Sequence, residues 1–379
     1  MRPVAPEVQV PGGGAPWDVA NRVATPGQRG FSEGAARRRE RRWELLRWQW
    51  AHSSLKRLHH CRLHANGELV TLRRSARGSY WTGLQTCGSV WACPVCSAII
   101  RTRRALTIEE SVRSWLAGDS RWVAFLTLTV RHHQGDGLAG LYEGMAAGWK
   151  RLQQSRWWRA LGWAGSWRSC EVTFGSTNGW HPHMHLLLFG EGPRLDLAAI
   201  GAEVADRWRA AVVAAGMEPT TLANGARLQA VTMDGGGLGE YLSKVLDGDG
   251  EGWDVGSELA RSDVKRSKGG HSPMQVLEAA TDGEVWAIRR WREYEQATFG
   301  RRAIEASRGL LDRLGVEDQA DDDLVAVDEG GEAVLDLHRS QYPRLALAGY
   351  AARVLDVDEV GDQAATVRFV EAVLRLVTP

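Results

Sequence analysis

No apolar run in this chain approaches the roughly 18 residues needed to cross a bilayer, so no membrane-spanning helix is expected. Its start, Met1 to Pro16, has no apolar block flanked by basic residues and a small-residue cleavage site, so a cytoplasmic rather than a secreted protein is expected. Cysteine is scarce and odd in number, with five at positions 61, 87, 93, 96 and 170, which argues against a disulfide framework. Two of them form Cys-x-x-Cys, a spacing that reads as metal binding in an unsecreted chain. Net charge is almost absent at +1, and no internal repeat is visible. What is present is a 379-residue chain, 44% hydrophobic and 25% charged. That composition excludes a wholly disordered chain and suits two or three modules with a sizeable core.

The near-zero charge hides an uneven distribution. Residues 1–104 hold 18 Lys+Arg against 6 Asp+Glu, whereas residues 301–379 hold 9 against 16. A basic front end is the usual footprint of a phosphate-backbone binder. Tryptophan is abundant at 18, and several sit among cations, as from Lys150-Arg151 to Arg156-Trp157-Trp158-Arg159. Bases stack on aromatic faces while cations hold phosphates, so this interleaving suits single-stranded nucleic acid; buried core tryptophan must still account for most of the 18.

Along the chain, a flexible basic N-terminal segment is expected over 1–50, although Arg37 to Trp50 also reads as a basic helix. A cysteine-rich zinc-binding module follows over 51–100. The core spans 101–250 and opens with a helix from Arg101 to Trp115. Val123 to Val130 is rich in β-formers and reads as a strand buried on both faces. Leu138, Leu141, Met145, Trp149 and Leu152 recur at helical spacing, as do Leu197, Ile200, Val204, Trp208 and Val212. Between them, Arg168 to Phe174 and His183 to Phe189 are strands separated by the turn-rich Gly175 to Gly179; Arg227 to Thr232 makes a fourth. A short helix from about Leu238 to Leu246 comes next. The order β-α-β-β-α-β predicts an α+β fold with the split βαβ arrangement, an antiparallel sheet with its helices on one face. Residues 251–310 extend this core, and 311–379 form an acidic helical or partly disordered tail.

The sharpest local signal is His181-Pro182-His183-Met184-His185. Side chains alternate along a strand, so His183 and His185 project together while Met184, Leu186 and Leu188 face the opposite, helix-covered side. Glu171 alternates with apolar neighbours on the preceding strand and can face the two imidazoles across the hairpin. Two histidines and a carboxylate with open positions can bind a hard cation and polarise a phosphoryl oxygen. Some 56 residues after His185, Tyr241-Leu242-Ser243-Lys244 places a phenol and an ammonium on one helix face. Such a phenol can attack a phosphodiester and become a covalent phosphotyrosine, while the lysine neutralises phosphate charge or favours the phenolate. Separately, Cys93-Pro94-Val95-Cys96 reads as a zinc knuckle that Cys87 and Cys61 complete, with His64 an alternative fourth ligand. Cys170 reads as a small packed residue. The other tyrosines (80, 142, 294, 342 and 350) lack the lysine partner.

In this order the motifs resemble those of HUH-type single-strand endonucleases, named for a His-hydrophobic-His triplet that is His183-Met184-His185 here. More narrowly, the chain resembles the rolling-circle replication initiators of actinobacterial plasmids. The matching stretches are Phe125 to Thr129, Gly179 to His185, Tyr241 to Lys244, Cys87 to Cys96, Gly300-Arg301-Arg302 and Ser307-Arg308-Gly309. The resemblance implies a ferredoxin- or RRM-like core of four to five strands behind a small zinc module. It further implies that Tyr241 nicks one strand at a plasmid origin, keeping the 5′ phosphate and leaving a 3′ hydroxyl for a host polymerase. His183, His185 and Glu171 would hold Mg²⁺ or Mn²⁺, with Lys244 beside the nucleophile; His181 is a further metal or supporting candidate. Single- and double-stranded origin DNA and a host helicase are the implied partners, with no membrane and no small-molecule coenzyme. One departure concerns the glutamate that related initiators often carry four residues before the tyrosine, to activate water in the terminating cleavage. That place is Gly237 here, leaving Glu240 and Asp234 as nearby substitutes. Two other readings compete: a rolling-circle transposase and a non-catalytic zinc-dependent DNA-binding regulator. A conjugative relaxase fits less well, because its tyrosine usually precedes the histidines and no tyrosine precedes Tyr80.

Overall fold

The computed structural model describes residues 33–231, 270–326, 328 and 330–377. The front end is helix α1 (Glu33–His52), a 3-10 turn over Lys56–His60, strands β1 (Leu69–Ser75) and β2 (Gly78–Thr82), and the long helix α2 (Pro94–Leu116). The flexibility expected up to residue 50 therefore does not extend to residues 33–50. Leu45, Leu46 and Trp50 bury one side of α1, which packs on α2.

The central sheet has five strands. β3 (Arg121–Thr129) leads to α3 (Leu138–Gln154) and the short α4 (Arg156–Ala160). The hairpin β4 (Gly165–Gly175) and β5 (Gly179–Glu191) leads to α5 (Leu197–Ala214), the single turn α6 (Leu222–Gly225) and β6 (Ala226–Ala230). After α7 (Pro273–Thr281) and α8 (Val285–Thr298), β7 (Ile304–Ala306) joins the far edge. The strand order is β6-β3-β5-β4-β7, and every neighbouring pair is antiparallel.

Burial on the helix-covered face fixes the register. Leu126, Met184, Leu186 and Leu188 are no more than 1% exposed. Leu126 pairs with Leu186 on one side and Leu228 on the other, and Leu228 lies against Gly201 of α5. Burying each such side chain is worth roughly 1.5–3 kcal/mol, and a one-residue slip would turn them all to the other face. Gly179, at φ +73°, closes the hairpin; a side chain there would also crowd the backbone of His133 and Gln134. On the opposite face, α2 reaches the Phe189 end: Trp115 meets Phe189 edge-on and its indole N–H donates to the Gly190 carbonyl at 3.1 Å.

The acidic end is not a separate tail. Beyond α9 (Leu310–Leu314) and α10 (Asp321–Ala326), strand β8 (Glu332–His338) pairs with β1, giving a second sheet in the order β2-β1-β8. Helices α11 (Tyr342–Leu347), α12 (Ala351–Val360) and α13 (Gln363–Leu376) complete it. Val334, Leu337, Tyr342, Leu345 and Val354 are buried in a core continuous with Val70, Leu72 and Trp81. Apolar spacing within an acidic composition is what folds this segment. Among the described residues no helix is long and apolar enough to cross a membrane.

Candidate active site and metal centre

The hairpin brings the expected trio together. Glu171 on β4 pairs directly with His183 on β5, and Thr129 of β3 pairs with His183 from the other side. Directly paired residues share a face, so Glu171, His183 and His185 project together. His185 Nε2 lies 3.4 Å from Glu171 Oε2. Two donors held about 2.1 Å from one cation lie roughly 3.0–3.4 Å apart, so this spacing can accept an ion between them. His185 and Glu171 are 7% and 8% exposed, and Glu171 Oε1 is buried with no hydrogen-bond partner among the described residues. A buried, unpaired carboxylate oxygen is costly unless a cation or donor meets it, so Glu171 and His185 together suit a hard divalent ion, with the His183 ring centre 5.9 Å from that of His185.

His185 is held on two sides. Its ring stacks on Phe125 at 5.4 Å, and its Nδ1 lies 3.1 Å from Thr127 Oγ1, leaving Nε2 toward Glu171. A hydroxyl at the far nitrogen of a ligating imidazole selects the tautomer and fixes the ring. Sequence reading places Thr127 in a motif without giving it this contact, which only the β3–β5 register reveals.

His181 stays on the same face. Pro182 does not break the strand: the β3–β5 ladder ends one pair earlier, at Thr129–His183, so the missing N–H costs no ladder bond there. Thr173 pairs with His181, whose ring stacks on His183 at 4.1 Å. His132, which sequence reading passes over, lies 4.3 Å from His181 and donates through Nδ1 to the Asn178 carbonyl at 2.9 Å. Burial, and secondarily His132, lowers the His181 pKa to about 4, which keeps that imidazole neutral near pH 7. The signal in the sequence was a second histidine pair just past the end of β3. Tyr241, Lys244, Asp234 and Glu240 lie outside the described residues.

The four expected cysteines meet. Their sulfur atoms all lie within 4.8 Å of one another, with Cys61–Cys93 at 3.7 Å, Cys61–Cys96 at 3.5 Å and Cys87–Cys96 at 3.8 Å. A tetrahedral zinc with bonds of about 2.3 Å sets its sulfurs about 3.8 Å apart, whereas a disulfide needs about 2.05 Å. The cluster could therefore hold zinc. Cys93 Sγ accepts the Cys96 N–H at 3.3 Å as the cap of α2, with Pro94 in the first turn, so the knuckle and the helix start are one structure. His64 is exposed and leaves the four-sulfur set as the ligands. Cys170 stands apart, buried, its thiol pushed up to about 11 mainly by that burial.

Five arginines of the basic front end pair with the acidic end. Arg39 reaches Asp356 and Glu359, Arg57 reaches Asp322, Arg73 reaches Asp328, Arg74 reaches Asp358, and Arg104 reaches Asp318 and Asp321. Part of the charge asymmetry read as a nucleic-acid footprint is thus internal pairing.

Fold and site together define an α+β protein with two histidines and a carboxylate on one sheet face and a four-cysteine cluster at the head of α2. A family model described as Replication protein matches residues 82–194, which hold three of the clustered cysteines, Glu171 and the histidine triplet. "Protein rep" of Streptomyces lividans is 31% identical over 341 residues, covering 71% of this chain and 73% of that protein. A "Neomycin resistance protein" of Streptomyces cyanogenus is 29% identical over 304 residues, covering 61% and 69%. No solved structure matches. The chain belongs to the replication protein family.

Proposed function

We propose that the protein is a plasmid rolling-circle replication initiator that nicks one DNA strand through Tyr241. The observation that carries this reading is the pairing of Glu171 with His183, and of His185 with Thr127, on one face of a sheet whose four main strands run β6-β3-β5-β4. That order, with α3 and α5 packed together on the other side, supports a split βαβ core of the HUH type.

In this reading His183, His185 and Glu171 hold Mg²⁺ or Mn²⁺, which when bound neutralises charge on the scissile phosphate. The Tyr241 oxygen attacks phosphorus in line. The bond from phosphorus to the 3′ oxygen breaks, leaving a 5′-phosphotyrosine and a 3′ hydroxyl that a polymerase extends. Lys244 favours the phenolate, and Glu240 or Asp234 activates water for the closing cleavage. Chain length supports the assignment. Val231, ten residues before Tyr241, bonds to the Val123 carbonyl, and Val123 pairs with Phe189, four residues from His185. Crossing two strands and four residues is about 16 Å, whereas ten residues span up to about 35 Å. Origin DNA, a host helicase and polymerase are the partners in this scheme, acting in the bacterial cytoplasm, with zinc holding the cysteine module.

The test is direct. Purified protein with Mn²⁺ and single-stranded oligonucleotides tiled across its plasmid should give a denaturation-resistant protein–DNA adduct that Tyr241→Phe abolishes. Sequence-specific retention with no adduct in any metal would replace this reading with a zinc-dependent DNA-binding regulator.

A further inference from the structure

Arg227 stands out among the arginines of the central sheet. On β6, Ala226, Leu228 and Ala230 alternate with Arg227 and Gln229, and Leu228 packs toward α5. Arg227 therefore faces the side that carries the histidines. It pairs directly with Thr127, and Thr127 pairs with His185, so the three form one row across β6, β3 and β5. The other two arginines in these strands are occupied: Arg121 lies 3.8 Å from Glu191, and Arg168 bonds Glu305. Arg227 is exposed, and no carboxylate among the described residues pairs with it.

Two strand spacings put its Cα about 10 Å from that of His185. A guanidinium on a three-carbon stem covers much of that gap and presents a planar fork suited to phosphate. A charged side chain in an edge strand also guards against edge-to-edge pairing, but guarding does not require it to line up with the cluster.

We propose that Arg227 grips a phosphate of single-stranded DNA adjacent to the one seated at His183, His185 and Glu171, so that the strand crosses the sheet over its β6 edge. This rests on the reading of that face as the DNA-handling surface, and it adds the direction of approach. Arg227 acts by positioning the strand.

Binding of a fluorescein-labelled single-stranded dT20 to the full chain, followed by anisotropy without added divalent metal from 50 to 400 mM NaCl, tests it. One phosphate contact fewer should flatten the plot of log K against log salt by about 0.7. Arg227→Ala should show that flattening and bind about three- to tenfold more weakly at low salt. Arg227→Lys should keep the wild-type slope, and Arg227→Glu should bind more weakly than Arg227→Ala. Unchanged slope and affinity in Arg227→Ala overturn the proposal. Equal losses in Arg227→Ala and Arg227→Lys together with a lowered melting temperature overturn it too, because a structural role has then replaced the phosphate contact. The assay needs no metal and no cleavage, so absence of a Tyr241 adduct leaves it readable. A slope change without adduct would retain the DNA-handling face and discard the nicking chemistry.

Discussion

Zinc at the cysteine cluster should be worth more to this protein than any packing contact. The four sulfurs are buried together, and without a cation the same burial pushes the Cys93 thiol up, because a thiolate there would have no counter-charge. Structural zinc in small modules contributes an apparent 10–16 kcal/mol, comparable to or above the 5–15 kcal/mol that stabilises a whole domain. Here the cluster also caps α2, whose far end anchors the sheet through the Trp115–Gly190 bond. Cys96→Ser leaves three sulfurs around a weak oxygen ligand. If about 5 kcal/mol is lost, melting should fall by roughly 10–20 °C. Metal analysis of the purified wild type should find one zinc per chain, released by a strong chelator together with a drop in melting temperature at least as large. Cys170→Ser supplies the internal control, since that residue is also buried but lies outside the cluster. Wild-type protein that carries no zinc, or Cys96→Ser that melts like Cys170→Ser, would refute the reasoning.

Two further outcomes follow from contacts elsewhere. Thr127→Val keeps the shape of the side chain but removes the hydroxyl from His185 Nδ1; Mn²⁺ affinity by calorimetry should fall about 10–100-fold while Thr127→Ser stays within a few-fold, and equal affinities would deny Thr127 a part in orienting the ring. At Asp358, burial alone would raise the pKa, but hydrogen bonds from Arg74, Ser79 and Thr366 outweigh it and hold the carboxyl below its usual value. A depressed folded-state pKa contributes stability that is present above the ordinary carboxylate range and lost as pH falls through the lower folded value. Asp358→Asn should therefore cost about 3–5 kcal/mol at pH 7. Its melting temperature should also change less than that of wild type on acidification below pH 4.

The central fold was legible because its signals are local. The alternation around Glu171 and His183 and the helical spacing from Leu138 to Leu152 each need only a few neighbouring residues to read, and the structure places β4, β5 and α3 where those patterns lie. The Cys-x-x-Cys spacing named two members of the cluster outright; adding Cys61 from 32 residues away required only the scarcity of cysteine. What escaped was non-local. The link from Thr127 to His185 depends on strand register, and the approach of His132 to His181 depends on where the chain leaves β3. That Pro182 sits in the strand without loss depends on the side on which the ladder has already ended, which a sequence does not say.

Charge was the least legible quantity, and the reason bears on function. An excess of arginine at one end and of acid at the other has two physical solutions: each end finds an outside partner, or they find each other. Composition alone cannot choose between these, since both leave the net charge near zero. The structure takes the second course for Arg39, Arg73, Arg74 and Arg104, whose partners lie on or near α10, β8 and α12. The same apolar burial that adds β8 to β1 brings those acids within range. Arginines consumed in this way cannot release counterions from DNA, so they add nothing to its salt-dependent grip. The cations available to nucleic acid must then be sought where no carboxylate answers them, and on the histidine face the sheet offers Arg227. Arg39, Arg73, Arg74 and Arg104 thus spend their charge on acids near the C-terminal end of the chain.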